Sequence, residues 1–457
     1  MEDISVNEES RQWPQFVVVL TSLLLAVSSG VQYGWPSFAT PKLLDKGLQF
    51  NISEEEVSYI IMIHPLGYIL SGPISAFLQD TIGRKHTLLM LIVPQISAWL
   101  LIALSTNIRS IYLSRLISGS SEGCVFAILP VYICEISEPK IRGILGVSFS
   151  TAVVLGFLLI TAYGTYMPLR VSAYVSISFP LLFFVVFIWM PESPYYLILK
   201  DNIDDARSSL KKLRKMKNVE DELFRIKEDI QRQTAASNSI KDVFTARNSR
   251  RALLILMGLR TLQQFSGGAS VFYYNQVIFK QTGSPLYPIA SMIFFATLAL
   301  VSLSSLFFVD KYGRRFLLLI STSSTAVVLL IEALYFTFQY DNFDTTKVQS
   351  LPIAGLILYT IVRGIGLFSI PTLMSGELFS PRHKAKAIGI LNIYIAICVS
   401  GTSKLFHYLK SGFGMHVPFY FFVFATSFGV LFVYFCVPET KGKTLEEIQQ
   451  KLRGTVD

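Results

Sequence analysis

Twelve times along this chain an apolar stretch runs for roughly 20 residues, the length at which a helix crosses the hydrocarbon core of a bilayer. The stretches cover residues 16–36, 57–79, 87–106, 111–134, 143–164, 171–190, 252–279, 286–309, 316–338, 352–376, 385–408 and 416–437. A backbone N–H or C=O without a partner is so costly in lipid that only helices and closed barrels span it, and runs this long are helices. Composition agrees. Of 457 residues 52% are apolar and 16% charged, where a soluble domain carries about 25% charged. The expected fold class is an all-α membrane protein of twelve transmembrane helices.

A polar segment divides the runs six and six. The expected organisation is an N-terminal half at 1–191, a linker at 192–251, a C-terminal half at 252–437 and a tail at 438–457. The linker contains amphipathic pieces in which Leu223, Ile226 and Ile230 share a face, as in short helices lying under a bundle. Most of the 40 Lys and Arg fall in the linker, the tails and the loops on the same side, so both termini are expected to be cytoplasmic. The net charge of +9 is thereby read as topology facing anionic lipid, and no nucleic-acid partner is expected. The acidic start, MEDISVNEES, does not read as a cleavable signal peptide. Cys124, Cys134, Cys398 and Cys436 fall in or at the ends of spans, which does not suggest a disulfide framework. Asn51-Ile52-Ser53 is a glycosylation acceptor pattern in the first outside loop, with Asn51 as the acceptor.

The two halves echo each other. DTIGRK (80–85) returns as DKYGRR (310–315), EISEPKIRG (135–143) as ELFSPRHKA (377–385), and PESP (191–194) as PETKG (438–442). Ordinary basic loops account for positive charge but not for Asp, Glu, Gly and Pro recurring in register. A duplicated six-helix unit with parallel repeats is the plan of the major facilitator fold. With SRLISGSSEGCVFAILPVYICEISEPKIRG, QQFSG and VPETKGKTLEEI, these motifs in this order resemble the sugar porter family over nearly the full length. GWPS, QQFSGG and IPTLMSGELF are most similar to its insect trehalose-transporter-like branch.

That resemblance implies a latch of charges on the inner face. Arg84, Lys85, Arg314 and Arg315 would pair with Glu135, Glu192, Glu377 and Glu439. Arg142 and Arg382 would be further cationic partners, with Asp80 and Asp310 orienting their loops. The pairs would hold the halves together while the cavity faces outward. Each exposed pair is worth only about 0–1 kcal/mol, so a network is needed.

The stretch QQFSGGASVFYYNQ (263–276) places amides, glycines and phenols inside an apolar run. Such groups suit a neutral, hydroxyl-rich ligand, or else interhelical hydrogen bonds. The resemblance favours sugar contacts by Gln263, Gln264, Tyr273 and Tyr274, followed by Ser150, Thr372 and Asn392. Several family contacts are replaced: the asparagine after QQxSG is Ala269, the span-5 glutamine is Ser150, the span-8 asparagine is Leu298, and the span-10 tryptophan is Thr372. Span 1 lacks Asp, Glu and His, which argues for a passive carrier; Glu122 with Arg115 remains a candidate proton relay, and Glu332 with Arg363 another candidate pair. No metal, cofactor or nucleophile–base constellation is expected. The reading is a monomeric plasma-membrane uniporter of a neutral sugar, trehalose or a hexose such as glucose, with a proton symporter and a non-transporting sensor as its rivals.

Overall fold

The computed structural model describes residues 11–44, 51–216, 218–235, 244–245, 247–379, 381–443, 447–448 and 450, without the side chains of 229, 232–235, 247, 305–311 and 381–385. The first part of the chain builds α1 (Trp13–Leu44), α2 (Glu54–Thr81), α3 (Arg84–Met90), α4 (Ile92–Ala103), α5 (Ile108–Ile136), α6 (Arg142–Tyr166) and α7 (Leu169–Phe187). Three short helices follow, α8 (Pro194–Leu199), α9 (Ile203–Arg214) and α10 (Glu220–Ala235). Then come α11 (Arg247–Phe265), α12 (Gly268–Tyr273), α13 (Asn275–Gln281), α14 (Tyr287–Tyr312) and α15 (Arg314–Tyr340). The chain closes with α16 (Leu351–Arg363), α17 (Ile370–Glu377), α18 (Pro381–Phe413) and α19 (His416–Cys436).

Among the described residues, 11 helical stretches are long and apolar enough to cross a membrane. The remaining expected span, 252–279, is divided between α11, α12 and α13, so it is a crossing built from pieces. Helix starts follow local chemistry. Ser53 caps α2 by accepting from the Glu56 N–H at 3.2 Å while the Glu56 carboxylate accepts from the Ser53 N–H at 2.8 Å, a reciprocal capping box. Asn107 caps α5 by accepting from the Ser110 N–H at 3.0 Å.

Helix pairs pack backbone to backbone where side chains are missing. A Cβ at Gly30 of α1 would lie 2.0 Å from the Val153 carbonyl oxygen of α6, and one at Gly156 would lie 2.7 Å from the Gly30 Cα. On the neighbouring pair, a Cβ at Gly119 of α5 would lie 1.9 Å from the His64 carbonyl oxygen of α2. Without a hydrophobic drive between helices in lipid, this close approach of small residues is a main source of association. The first six spans meet the last six where α2 lies along α18, α6 along α14, and α1 against α12 and α13.

The linker helices close over the first six spans. Ile198, Ala206, Leu210, Leu223 and Ile226 bury one another, with Ile230 packed against them. Ser209 donates to the Glu192 carbonyl at 2.7 Å, and buried Arg214 donates to the Ile136 carbonyl at 2.9 Å while pairing with Glu222 at 2.7 Å. The amphipathic faces expected from sequence thus pack on one another, and polar contacts tie the group to the bundle.

Gly119→Val should drive α2 from α5 and cost roughly 1–3 kcal/mol or more. The folded fraction in detergent, read by fluorescence-detected gel filtration, should fall sharply, whereas Gly146→Val, at a glycine with open space beside it, should leave it unchanged.

Candidate transport site

The crossing built from α11, α12 and α13 breaks at Gly267, whose φ of +86° is a left-handed conformation that glycine adopts freely. The break frees carbonyls that a continuous helix would satisfy, and each finds a partner on the opposing span. Arg363 of α16 donates to the Gln263 carbonyl at 2.9 Å, and the Tyr359 hydroxyl donates to the Ser266 carbonyl at 2.9 Å. That opposing span is itself interrupted by a π-helical turn, Gly364–Phe368. Its freed carbonyls accept from the Gln263 amide, Leu367 at 3.2 Å and Phe368 at 2.8 Å. The exchange is reciprocal. Arg363 is held in place by the faces of Phe272, Tyr359 and Phe368, each within 5.9 Å of its guanidinium.

The two glutamines therefore differ. Gln263 also accepts from Arg260 at 2.9 Å, so its amide is engaged at both ends by the protein. Gln264 is buried as well, yet among the described residues its amide has no hydrogen-bond partner. Tyr273 lies against Tyr33 of α1 with ring centroids 5.1 Å apart, and Tyr274 stacks on Phe406 of α18 at 4.9 Å. Both phenol oxygens are buried; that of Tyr273 faces the Tyr33 hydroxyl, and that of Tyr274 has no partner among the described residues. Ser150 is half-buried and donates back to the Val147 carbonyl at 3.0 Å, while Thr372 and Asn392 are exposed. No hydrogen bond among the described residues joins these three to the glutamines.

Glu122 has partners that sequence spacing did not identify. His64 Nε2 lies 3.0 Å from Glu122 Oε2, with both side chains 0% exposed, and the Tyr68 hydroxyl donates to the other carboxylate oxygen. Arg115, which stands too far along the helix for a direct pair with Glu122, donates to the Gln32 carbonyl at 3.0 Å and faces the Trp35 ring at 5.3 Å. Tyr33 joins this cluster to the candidate site, its ring edge-on to His64 at 5.8 Å. The expected Glu332–Arg363 pair does not form either. Glu332 is buried against Gly355 with neither carboxylate oxygen hydrogen-bonded, and Arg363 is engaged at the break.

The repeated charge motifs assemble into two matching clusters, each closed within its own set of six spans. In the first, Arg84 pairs with Glu135 at 3.0 Å, and Glu192 accepts the N–H groups of Arg84 at 3.1 Å and Lys85 at 3.0 Å. In the second, Arg314 pairs with Glu377 at 2.9 Å, and Glu439 accepts the N–H groups of Arg314 and Arg315, both at 3.0 Å. Ser193 and Thr440 hold equivalent places, donating to Glu135 at 2.5 Å and Glu377 at 2.6 Å. Lys85 and Arg315 thus contribute their backbone N–H groups to the carboxylates, and the Arg315 side chain turns to the Tyr434 carbonyl. Arg142 donates to the Ser137 carbonyl at 3.2 Å, and Asp80 is exposed. The side chains of Asp310 and Arg382 lie outside the described residues.

The hydrogen bonds and ion pairs between described residues that join the two sets of spans lie toward the face opposite these clusters. Lys404 of α18 donates to Ser58 of α2 at 2.8 Å and sits 3.6 Å from the centre of the Tyr59 ring. Lys410 pairs with Glu54 at 3.4 Å, and Gln276 of α13 donates to Thr165 of α6 at 2.7 Å. This face is the clasped one. On the basic face no ion pair between described residues joins the two sets of spans; the latch is expected there only while the cavity faces outward.

A model of the family described as sugar (and other) transporters matches residues 16–452. The chain is 30% identical over 451 residues to a facilitated trehalose transporter of Bombyx mori, covering 98% of this chain and 88% of that one. To its counterpart in Polypedilum vanderplanki it is 31% identical, covering 96% and 89%. Of the longer counterpart in Drosophila grimshawi the chain spans 48%. Among solved structures, the inward-open xylose transporter of E. coli superposes with a TM-score of 0.79 at 20% identity, over 96% of this chain and 99% of that one. The fold is the twelve-helix major facilitator fold, in a membrane-embedded, multi-pass chain.

Glu439 lies beyond the last span. Burial alone would raise its carboxyl, but the N–H groups of Lys441, Arg314, Arg315 and Thr440 outweigh it and hold the group below the usual carboxylate range. A depressed carboxylate contributes stability that is present above its unfolded value and is lost as pH falls through the folded one. The protection factors of the Arg314 and Arg315 amides, taken relative to intrinsic exchange at each pH, should therefore fall several-fold in Glu439→Gln at neutral pH, and in the wild type on acidification below the ordinary carboxylate range. Equal protection in variant and wild type at neutral pH would count against the cluster.

Proposed function

The chain belongs to the sugar transporter family, a family of carriers rather than enzymes, and from that premise we propose that it is a facilitative carrier of a neutral sugar. Trehalose or a hexose such as glucose would move downhill by alternating access between the two faces. The observation that carries the reading is a buried Gln264 amide with no hydrogen-bond partner among the described residues, followed on the same broken helix by the enclosed phenols of Tyr273 and Tyr274. These groups both donate and accept, and aromatic faces suit the C–H faces of a sugar ring. The name shared by the insect relatives, facilitated trehalose transporter, supports the substrate class and the passive mode. Gln263 acts mainly by holding the break, with Ser150, Thr372 and Asn392 as outlying contacts.

The basic face is taken as cytoplasmic, with both termini on it, in the plasma membrane. The carrier then stands clasped on its outer face, and it works as a monomer in the bilayer. Asn51, exposed just ahead of the Ser53 cap on the outer face, is the glycan acceptor of this scheme.

One observation favours a second reading, proton coupling. The enclosed His64–Glu122 pair can hold a proton, and Tyr33 connects it to Tyr273. Uptake of labelled trehalose and glucose, compared at about pH 5.5 and about pH 7.5 either side of the ordinary histidine range, separates the two. Saturable uptake that stops at equal concentrations and ignores pH establishes the facilitative carrier. Uptake driven by an imposed proton gradient, and uncoupled by Glu122→Gln, establishes symport. Transport of neither sugar would overturn both.

The glutamines should separate in the same assay. Gln264→Ala should raise KM several-fold, as the loss of about 0.5–1.5 kcal/mol of hydrogen bonding predicts, at unchanged melting temperature. Gln263→Ala should lower the melting temperature, because it uncaps the Leu367 and Phe368 carbonyls.

A further inference from the structure

We propose that Asn275 and Tyr274 form an entry subsite for a neutral, hydroxyl-rich sugar ring, sealed beneath the clasp that joins the two sets of spans. The proposal rests on the sugar-carrier reading and adds to it a second place of contact. Asn275 opens α13 and is 0% exposed, and neither its amide nitrogen nor its amide oxygen has a hydrogen-bond partner. The Tyr274 hydroxyl beside it is enclosed in the same way. Buried amides are almost always satisfied, so two adjacent orphaned groups point to a partner met in another state.

The surroundings identify that state. Tyr274 stacks on Phe406, and Ser270 donates to the Thr402 carbonyl at 3.1 Å, so α12 is fixed to α18 on both sides of Lys404. Lys404 in turn ties α18 to α2 through Ser58. One residue beyond Asn275, Gln276 ties α13 to α6 through Thr165. Asn275 and Tyr274 thus stand where contacts between the two sets of spans converge. Opening this face must part those contacts, and parting them uncovers the amide and the phenol. That is the state a solute meets when it arrives from this side.

The chemistry fits the same solute. An amide offers one donor and one acceptor edge side by side, matching a pair of neighbouring hydroxyls, and the tyrosine adds a third group. Neither group carries a charge of its own. Gln264 lies eleven residues earlier, on the far side of the break at Gly267, so Asn275 and Tyr274 extend the site at the break toward the outer face.

The test compares the two directions of transport. Asn275→Leu keeps the side chain's bulk without the amide, and Tyr274→Phe removes only the hydroxyl. Asn275→Leu should raise KM for trehalose or glucose entering from the outer face by about fivefold, as loss of one or two neutral hydrogen bonds predicts, with kcat for entry rising in proportion so that kcat/KM stays equal in the two directions as downhill transport requires, and leave KM for exit from the inner face unchanged; Tyr274→Phe should raise the entry KM in the same sense. Asn275→Cys gives a readout that does not require transport: an impermeant maleimide from outside should label it over the background of the native cysteines, and saturating sugar should slow that labelling. Equal shifts in entry and exit KM, or none, with labelling indifferent to sugar, overturn the subsite and leave the carrier reading standing. If the wild type moves neither sugar, the carrier reading fails instead, and protection from labelling alone decides the subsite, for it if present and against it if absent.

Discussion

The exchange of hydrogen bonds between Gln263 and Arg363 is the contact on which the rest of the transport path depends. A bilayer offers no water to a freed carbonyl, so a helix can break within it only where a neighbour supplies donors. Two breaks face each other here, and each donates to the other's carbonyls. Neither interruption is tenable alone. Together they allow the crossing to change direction at Gly267, which sets Tyr273 against Tyr33 and Tyr274 against Phe406. The irregular backbone and the polar groups that face the seam are one device, since the pieces that carry the phenols exist because the breaks are capped.

Much of this was legible in the sequence, for a definable reason. Spans follow from run length, and the duplication follows from charged motifs in register, because both are linear properties of the chain. The polar patch at 263–276 was visible as a departure from an apolar background. Its division of labour was not. Adjacent glutamines stand about 100° apart on a helix, and only the position of the opposing π turn decides which amide is captured. Similarly, the Glu332–Arg363 pairing fails because Arg363 is drawn to a backbone break that no pattern of apolar residues announces. His64 appeared in sequence as a lone residue beside a proline. Its pairing with Glu122 depends on how closely Gly119 lets α5 approach α2, a distance that sequence spacing does not encode.

The electrostatics divide into two kinds. The basic clusters combine one charged pair with several backbone donors to a carboxylate, and Gly83 and Gly313 hold the turn where a Cβ would meet Glu192 at 2.5 Å and Glu439 at 2.8 Å. Such charge-assisted contacts to backbone are less dependent on side-chain ordering than exposed ion pairs, and they shape a loop rather than join two bodies. The opposite face uses long, single lysines reaching across a seam, with Lys404 over an aromatic ring and Lys410 on an exposed carboxylate. Contacts of that kind are individually weak and readily remade. A carrier that must open and close gains from having its rigid contacts inside each body and its labile ones between bodies.

The self-sufficiency of the basic clusters also bears on how such a chain can arise. Arg84, Glu135, Glu192 and Ser193 all come from one repeat, and Arg314, Glu377, Glu439 and Thr440 all come from the other. No atom of either cluster has to be borrowed across the repeat boundary among the described residues. A gene encoding one six-helix unit would therefore have brought the whole motif with it, and tandem copying would have installed the second instance ready-made.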